Sequence, residues 1–204
     1  MSKRKPKYLS SEEGYNLVAG RYDEKEGYLN SFEQKKLLPL LGNIRGKKIL
    51  DAGAGTGRLA VELAKFPGAK VTALDVSAEM LDRLKKKNQN IECVVGDAEN
   101  LPFMSGSFDV VLAAFLMVHL KDPRRFFDEA YRVLKDGGIF LATNINQKDP
   151  PVVKTSQGSI IIESFYHRPE KIRALLESLA FSVEQEIFVK EKDVWVNQIV
   201  LARK

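Results

Sequence analysis

The stretch Ile49-Leu50-Asp51-Ala52-Gly53-Ala54-Gly55-Thr56-Gly57-Arg58 joins an apolar strand to a helix through three glycines separated by single residues. A side chain at any of those three positions would fill the space a ligand needs to lie against bare backbone. A helix opening at this turn offers free N–H groups, and the positive end of its dipole, to a negative group. A second strand, Lys70-Val71-Thr72-Ala73-Leu74-Asp75, closes on an acid. An acid about twenty residues beyond such a turn accepts hydrogen bonds from a ribose diol. Turn and acid together predict a nucleoside-bearing ligand with an anionic tail.

The glycine spacing narrows the choice. A dinucleotide fingerprint, G-x-G-x-x-G, would need its third glycine where this chain has Arg58. The pattern here is D-x-G-x-G-x-G, which resembles motif I of the class I S-adenosylmethionine-dependent methyltransferases. Further blocks follow in order: "ALDVSAEML" (73–81), "VVGDAENLPFMSGSFDVV" (94–111) and "RVLKDGGIFLAT" (132–143) resemble the later strand motifs of that family. The resemblance runs from about residue 10 to the C-terminus, and among its members the chain looks most like the small-molecule enzymes of the ubiquinone/menaquinone and biotin-pathway type. It implies S-adenosyl-L-methionine as cofactor and a Rossmann-like α/β fold: a seven-stranded sheet with its last strand antiparallel and helices on both faces. It also implies roles. Asp75 would hold the ribose, Val76 and Met80 would lie near the adenine, and Asp97 and Ala98 would stand at its edge.

Composition bounds the alternatives. The 204 residues suit one domain (1–204), read as a methyltransferase domain with an N-terminal basic tail and lid helices (1–45) and an irregular substrate-side insertion (145–168). Hydrophobic content of 44% with 29% charged residues fits a soluble globular chain. No run of about eighteen apolar residues is present, so no membrane span is expected. Met1-Ser2-Lys3-Arg4-Lys5-Pro6-Lys7 is basic with no apolar segment after it, unlike a secretory signal. The lone Cys93 has no internal disulfide partner, and a cytoplasmic location is expected. The net charge of +5 reads as a solvated surface, with nucleic-acid binding through the basic tail as the alternative.

Along the chain, Ser10 and Glu13 fit a capping box opening a short helix, and Asn30 and Glu33 fit a second one leading into Leu37–Leu41. Strands and helices then alternate: a strand ending at Asp51, a helix carrying Leu59 to Ala64, the strand ending at Asp75, and a helix capped by Ser77. A strand from Ile91 to Val95 follows, then a breaker-rich link from Asp97 to Ser107, and an unbroken apolar strand from Phe108 to Ala114. A helix from Asp122-Pro123 leads to a strand over Ile139–Thr143. After a loop at Asn146–Pro151, an extra strand is expected within Ser159–Phe165. Pro169 opens a last helix, and strands at 182–190 and 194–202 form a hairpin.

In open α/β sheets, ligands bind beyond the C-terminal strand ends near the topological switch point. That gathers Asp51, Gly53, Ala54, Gly55, Thr56, Gly57, Arg58, Asp75, Asp97 and Ala114 around one cleft. Asp51 is placed to meet the cofactor's ammonium, and the amides from Gly53 to Arg58 to take its carboxylate. Asp109, at the far end of its strand, is read as structural. The histidines, His119 and His167, are the candidate catalytic residues. His119 is either a general base, with an ordinary pKa near neutrality, or a packing residue at a helix start; His167 is either a pocket residue or a surface one. Tyr15 and Tyr22 lie in a segment resembling the family's lid helix. A tyrosine ring there suits a sulfonium, because its quadrupole attracts cations. The methyl acceptor is expected between this lid, the stretch ending at His119, and residues 144–168. Asn144, Tyr166 and His167 would orient it, and Phe115, Met117 and Phe165 would form apolar walls.

Methyl transfer from a sulfonium needs alignment and exclusion of water more than it needs a dedicated base. The sequence therefore declares the reaction class and leaves the acceptor open: a small molecule first, RNA or protein second, with a nucleotide-binding oxidoreductase or a non-catalytic binding protein behind. No Asn/Asp-Pro-Pro-Tyr/Phe follows the Phe108–Ala114 strand, Cys93 lacks a Pro-Cys context, and no Cys/His cluster suggests a metal. Oligomeric state is not legible.

Overall fold

The computed structural model describes residues 5–33, 35–155 and 158–204. The chain opens with a short strand β1 (Lys7–Leu9), helix α1 (Ser11–Val18), a 3-10 stretch (Ala19–Lys25), helix α2 (Glu26–Glu33) and a 3-10 turn (Leu38–Leu41). The alternating part follows: β2 (Lys48–Ala52), α3 (Arg58–Leu63), β3 (Lys70–Asp75), α4 (Ala78–Lys87), β4 (Glu92–Val95), β5 (Phe108–Ala113), a 3-10 turn (Met117–His119), α5 (Arg124–Val133) and β6 (Leu134–Ile145). The chain ends with the hairpin β7 (Val152–Thr155) and β8 (Gly158–Ile162), helix α6 (Pro169–Ser178), and strands β9 (Ser182–Glu191) and β10 (Val194–Arg203).

Seven strands form the main sheet in the order β4-β3-β2-β5-β6-β10-β9. The first five are mutually parallel, and β10 runs antiparallel to both of its neighbours. The chain winds outward from β2 to β4, returns, and winds the other way from β5. The crevice at this reversal lies beyond the ends of β2 and β5, where α/β sheets bind ligands.

Strand periodicity divides the core in two. Leu50, Ala52, Leu74, Val111, Ala113, Phe140 and Ala142 pack on one face with Phe126 and Phe127 of α5 and Leu176 of α6. Ile49, Val71, Ala73, Val110, Leu112 and Leu141 pack on the other with Leu59 and Leu63 of α3 and Leu81 and Leu84 of α4. Successive residues of one strand point to opposite faces, so an apolar strand needs helices on both sides.

Local signals act as the residue types dictate. The Ser10 hydroxyl accepts from the Glu13 amide, and the Glu13 carboxylate accepts from the Ser10 amide, completing the capping box of α1. Ser77 caps α4, whose last turn carries Lys85, Lys86 and Lys87. Asp109 takes a hydrogen bond from the Lys48 amide (2.8 Å) and pairs with Lys135 (2.9 Å), joining β2, β5 and β6 at the end remote from the cleft.

Three expectations need correction. Asn30 and Glu33 do not start a helix; they lie in the last turn of α2, and both bond Arg58 instead. The 134–145 strand begins five residues earlier and ends two later than the 139–143 run. A second, three-stranded sheet, β1-β8-β7, was only partly foreseen. In it β1 lies parallel to β8, with Tyr8 opposite Ile161. Its inner face, Leu9, Ile160 and Ile162, packs on Tyr15, Leu17 and Val18 of α1. Gly14 is needed there, since a Cβ would stand 2.6 Å from Ile162 Cγ1. The N-terminal segment and the 145–168 insertion are thus one packed unit. Of the basic tail, residues 1–4 lie outside the described residues. Among the described residues no helix is long and apolar enough to cross a membrane.

Candidate functional site

Beyond the ends of β2, β3 and β5 lies a cavity of about 930 Å³. Asp51, Gly53, Ala54, Gly55, Thr56, Arg58, Asp75, Val76, Met80, Asp97, Ala98, Ala114, Tyr15, Tyr22 and His119 all line it. They arrive from six parts of the chain, each fixed by the element that ends or begins there. Gly57 alone of the expected cofactor residues does not line it. Its φ of 85° puts it in the left-handed region at the head of α3, where an added Cβ would collide with the buried Leu84. It is needed for helix-on-helix packing rather than for ligand space.

The turn's amides are mostly engaged. Gly53 and Ala54 donate to the Leu74 carbonyl (2.8 and 3.0 Å), Gly55 to Asp75 Oδ2 (2.8 Å), and Gly57 to the Ala54 carbonyl (2.9 Å). These bonds pin the turn against β3. They correct the expectation of a carboxylate site for the amides of Gly53, Ala54, Gly55 and Gly57. What the glycines provide is space, with a positive φ at Gly53 (73°) and Gly55 (55°).

The charged groups are distinctive. Asp51 is almost fully buried, and its pKa is pushed up to about 7 by loss of solvent, with Asp75 and Glu33 adding repulsion and Arg58 opposing. Burial also raises Asp75, against the amides of Ser77, Gly55 and Val76 that hold its carboxylate. Arg58 grips Glu33 with two hydrogen bonds and reaches Asn30 with a third. The Asp97 carboxylate accepts from the Glu99 amide (2.9 Å), so this residue both forms a turn and lines the cavity.

The N-terminal segment is fastened over this cavity by polar pins that no sequence motif announces. Asn16 accepts from the Ser77 hydroxyl (2.7 Å), and Asp23 bonds Thr56 (2.5 Å) and Lys87 (2.8 Å). Tyr15 and Tyr22 meet edge to face at 5.7 Å. Burial raises Tyr15 well above the ordinary tyrosine value and Tyr22 to about 12, so both stay protonated at neutral pH.

A second chamber of about 760 Å³ adjoins the first and shares Tyr15, Tyr22, Leu29, Phe115 and His119 with it. Val18, Tyr28, Phe32, Val118, Ile145, Gln147, Pro151, Val153 and Ile162 complete its wall. Among the described residues its lining contains no Asp, Glu, Lys or Arg. Of the expected acceptor residues, Phe115 is here, but five others are not. Met117 is in the core with no exposure. The Asn144 amide is buried against the His167 carbonyl and Gln198. Tyr166 lies against Trp195, and the Phe165 amide bonds the Val118 carbonyl. His167 is buried, with Nε2 2.8 Å from the Leu120 carbonyl and 3.1 Å from that of Met117. A ring nitrogen between two carbonyls must donate, so His167 braces the turn that carries His119 and has no reactive lone pair there. The residues missed in the second chamber are scattered over residues 18–32 and 145–162, without a common motif.

Comparison with known proteins agrees with this geometry. Residues 50–142 match the family described as "Methyltransferase domain". A demethylmenaquinone methyltransferase from Chlorobaculum tepidum is 45% identical over 113 residues, covering 55% of this chain and 47% of that protein. The protein of the same description from Staphylococcus saprophyticus is 32% identical over 164 residues, covering 76% and 70%. The matched part of the chain spans about half the length of the Chlorobaculum relative. Among solved structures, the DhpI-SAM-HEP complex superposes with a TM-score of 0.76 at 23% identity, over 94% of this chain and 95% of that one, which shows a shared fold.

Proposed function

The chain belongs to the class I S-adenosylmethionine-dependent methyltransferases, and we propose that it transfers a methyl group to an uncharged, largely apolar small molecule. One observation carries this reading. A cavity walled by two opposite charges and two strand-end carboxylates opens onto an aromatic chamber lined, among the described residues, by no Asp, Glu, Lys or Arg.

The residues present fit the cofactor. Its amino-acid end is a zwitterion, and Asp51 and Arg58 offer the opposite charges on one wall. Arg58 is the charged partner for the carboxylate, since the amides of Gly53, Ala54, Gly55 and Gly57 hold the turn. Asp75 accepts the Gly55 amide on one oxygen and the Ser77 amide on the other, with the Val76 amide beside them, and its remaining lone-pair capacity is left for the ribose diol. Val76, Met80, Asp97 and Ala98 bound the base, and the glycine turn leaves its flank open. When bound, the cofactor supplies a methyl group on a sulfonium. The protein's part is to align the acceptor, exclude water and present the rings of Tyr15 and Tyr22 to the cation.

Residues 8 to 30 serve as the lid in this reading, and 145–168 as the acceptor-side insertion. The packing of β1 against β8 supports treating them as one closing unit. An RNA acceptor would call for cations around the acceptor chamber, and among the described residues its lining has no Lys or Arg. The relatives named for demethylmenaquinone support an apolar cyclic acceptor. The free Cys93 suits a reducing compartment, and we place the enzyme in the cytoplasm.

Calorimetry with S-adenosylhomocysteine, followed by radiolabelled methyl transfer into organic-soluble metabolites and into total RNA, tests the proposal. Label in the organic fraction is the expected result. Label in RNA alone would overturn the acceptor class, and absence of cofactor binding would overturn the whole reading.

A further inference from the structure

Three distant parts of the chain meet at His119. Tyr15 comes from α1, His119 from the turn after β5, and Glu163 from the segment leaving β8. The Glu163 backbone carbonyl lies 2.9 Å from His119 Nδ1. A carbonyl only accepts, so Nδ1 carries the imidazole hydrogen and Nε2 is the acceptor. Tyr15, whose oxygen is 2.6 Å from Nε2, therefore donates its hydroxyl hydrogen to it. The Tyr15 oxygen keeps lone pairs of its own, and the residue lines both chambers.

We propose that Tyr15 and His119 are the proton exit for an acceptor that carries a weakly acidic hydroxyl and sits in the second chamber, and that closure of the N-terminal segment assembles this exit. The proposal rests on the methyl-transfer reading above and deepens it. Among the described residues the chamber's lining has no carboxylate to recognise an ammonium and no Lys or Arg to recognise a phosphate or carboxylate. It suits a neutral molecule. A neutral hydroxyl is a poor nucleophile until its proton leaves, and Tyr15 with His119 offers that proton a protein route at the chamber wall.

The step balances. The acceptor's O–H hydrogen passes to the Tyr15 oxygen as the Tyr15 hydrogen passes to Nε2 of His119. The oxygen's electron pair forms the bond to the methyl carbon, and the pair of the sulfur–methyl bond stays on sulfur, which becomes a neutral thioether. The positive charge lost by the sulfonium reappears on the imidazolium, whose Nδ1–H remains on Glu163. Net charge inside the closed site is unchanged, so no bare charge is created in an apolar space. Burial keeps the resting pair neutral, lowering His119 and raising Tyr15, so Tyr15 acts as a conduit and His119 as the terminal base. Tyr22 and Asp75 are the other titratable groups facing Tyr15, and both favour its neutral form.

The assembly is conditional on closure. Tyr15 arrives with α1, and the Glu163 amide bonds the Leu9 carbonyl of β1 (2.9 Å), so the segment that brings the hydroxyl also holds the carbonyl that orients the imidazole. With the segment open, His119 loses its Tyr15 partner and the base is incomplete.

The test uses 1-naphthol and 1-naphthylamine, which share a shape and differ in needing a base. Wild type is expected to methylate naphthol. Tyr15→Phe and His119→Gln should lower that rate about 100-fold or more, within the usual range for general-base catalysis, and lower the naphthylamine rate much less. Two readouts do not depend on turnover. Calorimetry of 1-naphthol with the S-adenosylhomocysteine-loaded protein should show binding that weakens in Tyr15→Phe. Nitrogen NMR of histidine-labelled protein, with His167→Gln to separate the two rings, should find His119 neutral at pH 7 with its hydrogen on Nδ1. A hydrogen on Nε2, equal loss for both acceptors, or no binding and no transfer to naphthol by protein that binds cofactor normally would overturn the proposal. Failure to bind cofactor at all would overturn the reading beneath it.

Discussion

The Arg58 guanidinium closes on the Glu33 carboxylate through two hydrogen bonds of 2.8 Å each, and the two side chains are only 14% and 5% exposed. This fork-on-fork pair ties the last turn of α2 to the residue that heads α3. It holds Arg58 over the Phe115 ring at 5.6 Å, and that ring lines both chambers.

Removing one partner of such a pair leaves a buried charge uncompensated, at a cost of about 3–5 kcal/mol. Glu33→Ala should therefore lower the unfolding free energy by an amount of that order and weaken S-adenosylhomocysteine binding as α2 loosens. Denaturant unfolding with parallel calorimetry measures both. Unchanged stability would mean that the pair is held by its surroundings and does not hold them.

Asp51 gives the site a pH dependence near neutrality. With its pKa at about 7, the carboxyl is neutral below that pH and charged above it. A neutral carboxyl cannot pair with the cofactor's ammonium, so affinity should fall as pH drops through 7, and binding at pH 6 should release a proton. Calorimetry in buffers of different ionisation enthalpy counts that proton. For the free protein the sign is opposite. A carboxyl whose folded pKa is raised contributes stability that is complete below its unfolded value and is lost as pH rises through 7. Each tenfold gain in proton affinity on folding is worth about 1.4 kcal/mol. Asp51→Asn should therefore raise the melting temperature at pH 8, leave it nearly unchanged at pH 4, and lose cofactor affinity. A variant that is less stable than wild type at pH 8 would contradict the raised pKa.

His167 should behave as a brace. Removing a buried donor that satisfies backbone carbonyls costs about 1–3 kcal/mol. His167→Ala should lower the melting temperature while the pH profile of methyl transfer keeps its shape. A lost limb in that profile, with stability intact, would restore His167 as a base.

Much of the main sheet was legible because its signals are local. An apolar run such as 110–113 is buried on both faces, and Ser77 and Gly57 each open a helix, one through its side-chain cap and the other through its positive φ. The cofactor side was legible for the same reason, since strand ends and the turn after them are fixed by the strands. The acceptor side was not. β1 pairs with β8 some 150 residues away in the chain, a contact that no window of sequence contains. Asn30 and Glu33 have capping-box spacing, yet both serve Arg58, because a buried guanidinium competes for the same oxygens. Asn144 and Tyr166 offer polar groups and Phe165 an apolar ring in or beside the irregular region, yet Asn144 is buried against the His167 carbonyl and Gln198, and Tyr166 lies against Trp195.

The central claim is that the cavity beyond β2, β3 and β5 holds S-adenosylmethionine by its ribose at Asp75. Calorimetric titration of S-adenosylhomocysteine into wild type and Asp75→Ala, at pH 8 and with folding checked by circular dichroism, tests it most directly. Charge-assisted hydrogen bonds of about 1.5–3 kcal/mol are at stake, so the account predicts saturable one-to-one binding to wild type and a loss of roughly tenfold or more in the variant. Equal affinity in the two proteins, or no binding to wild type, would contradict it.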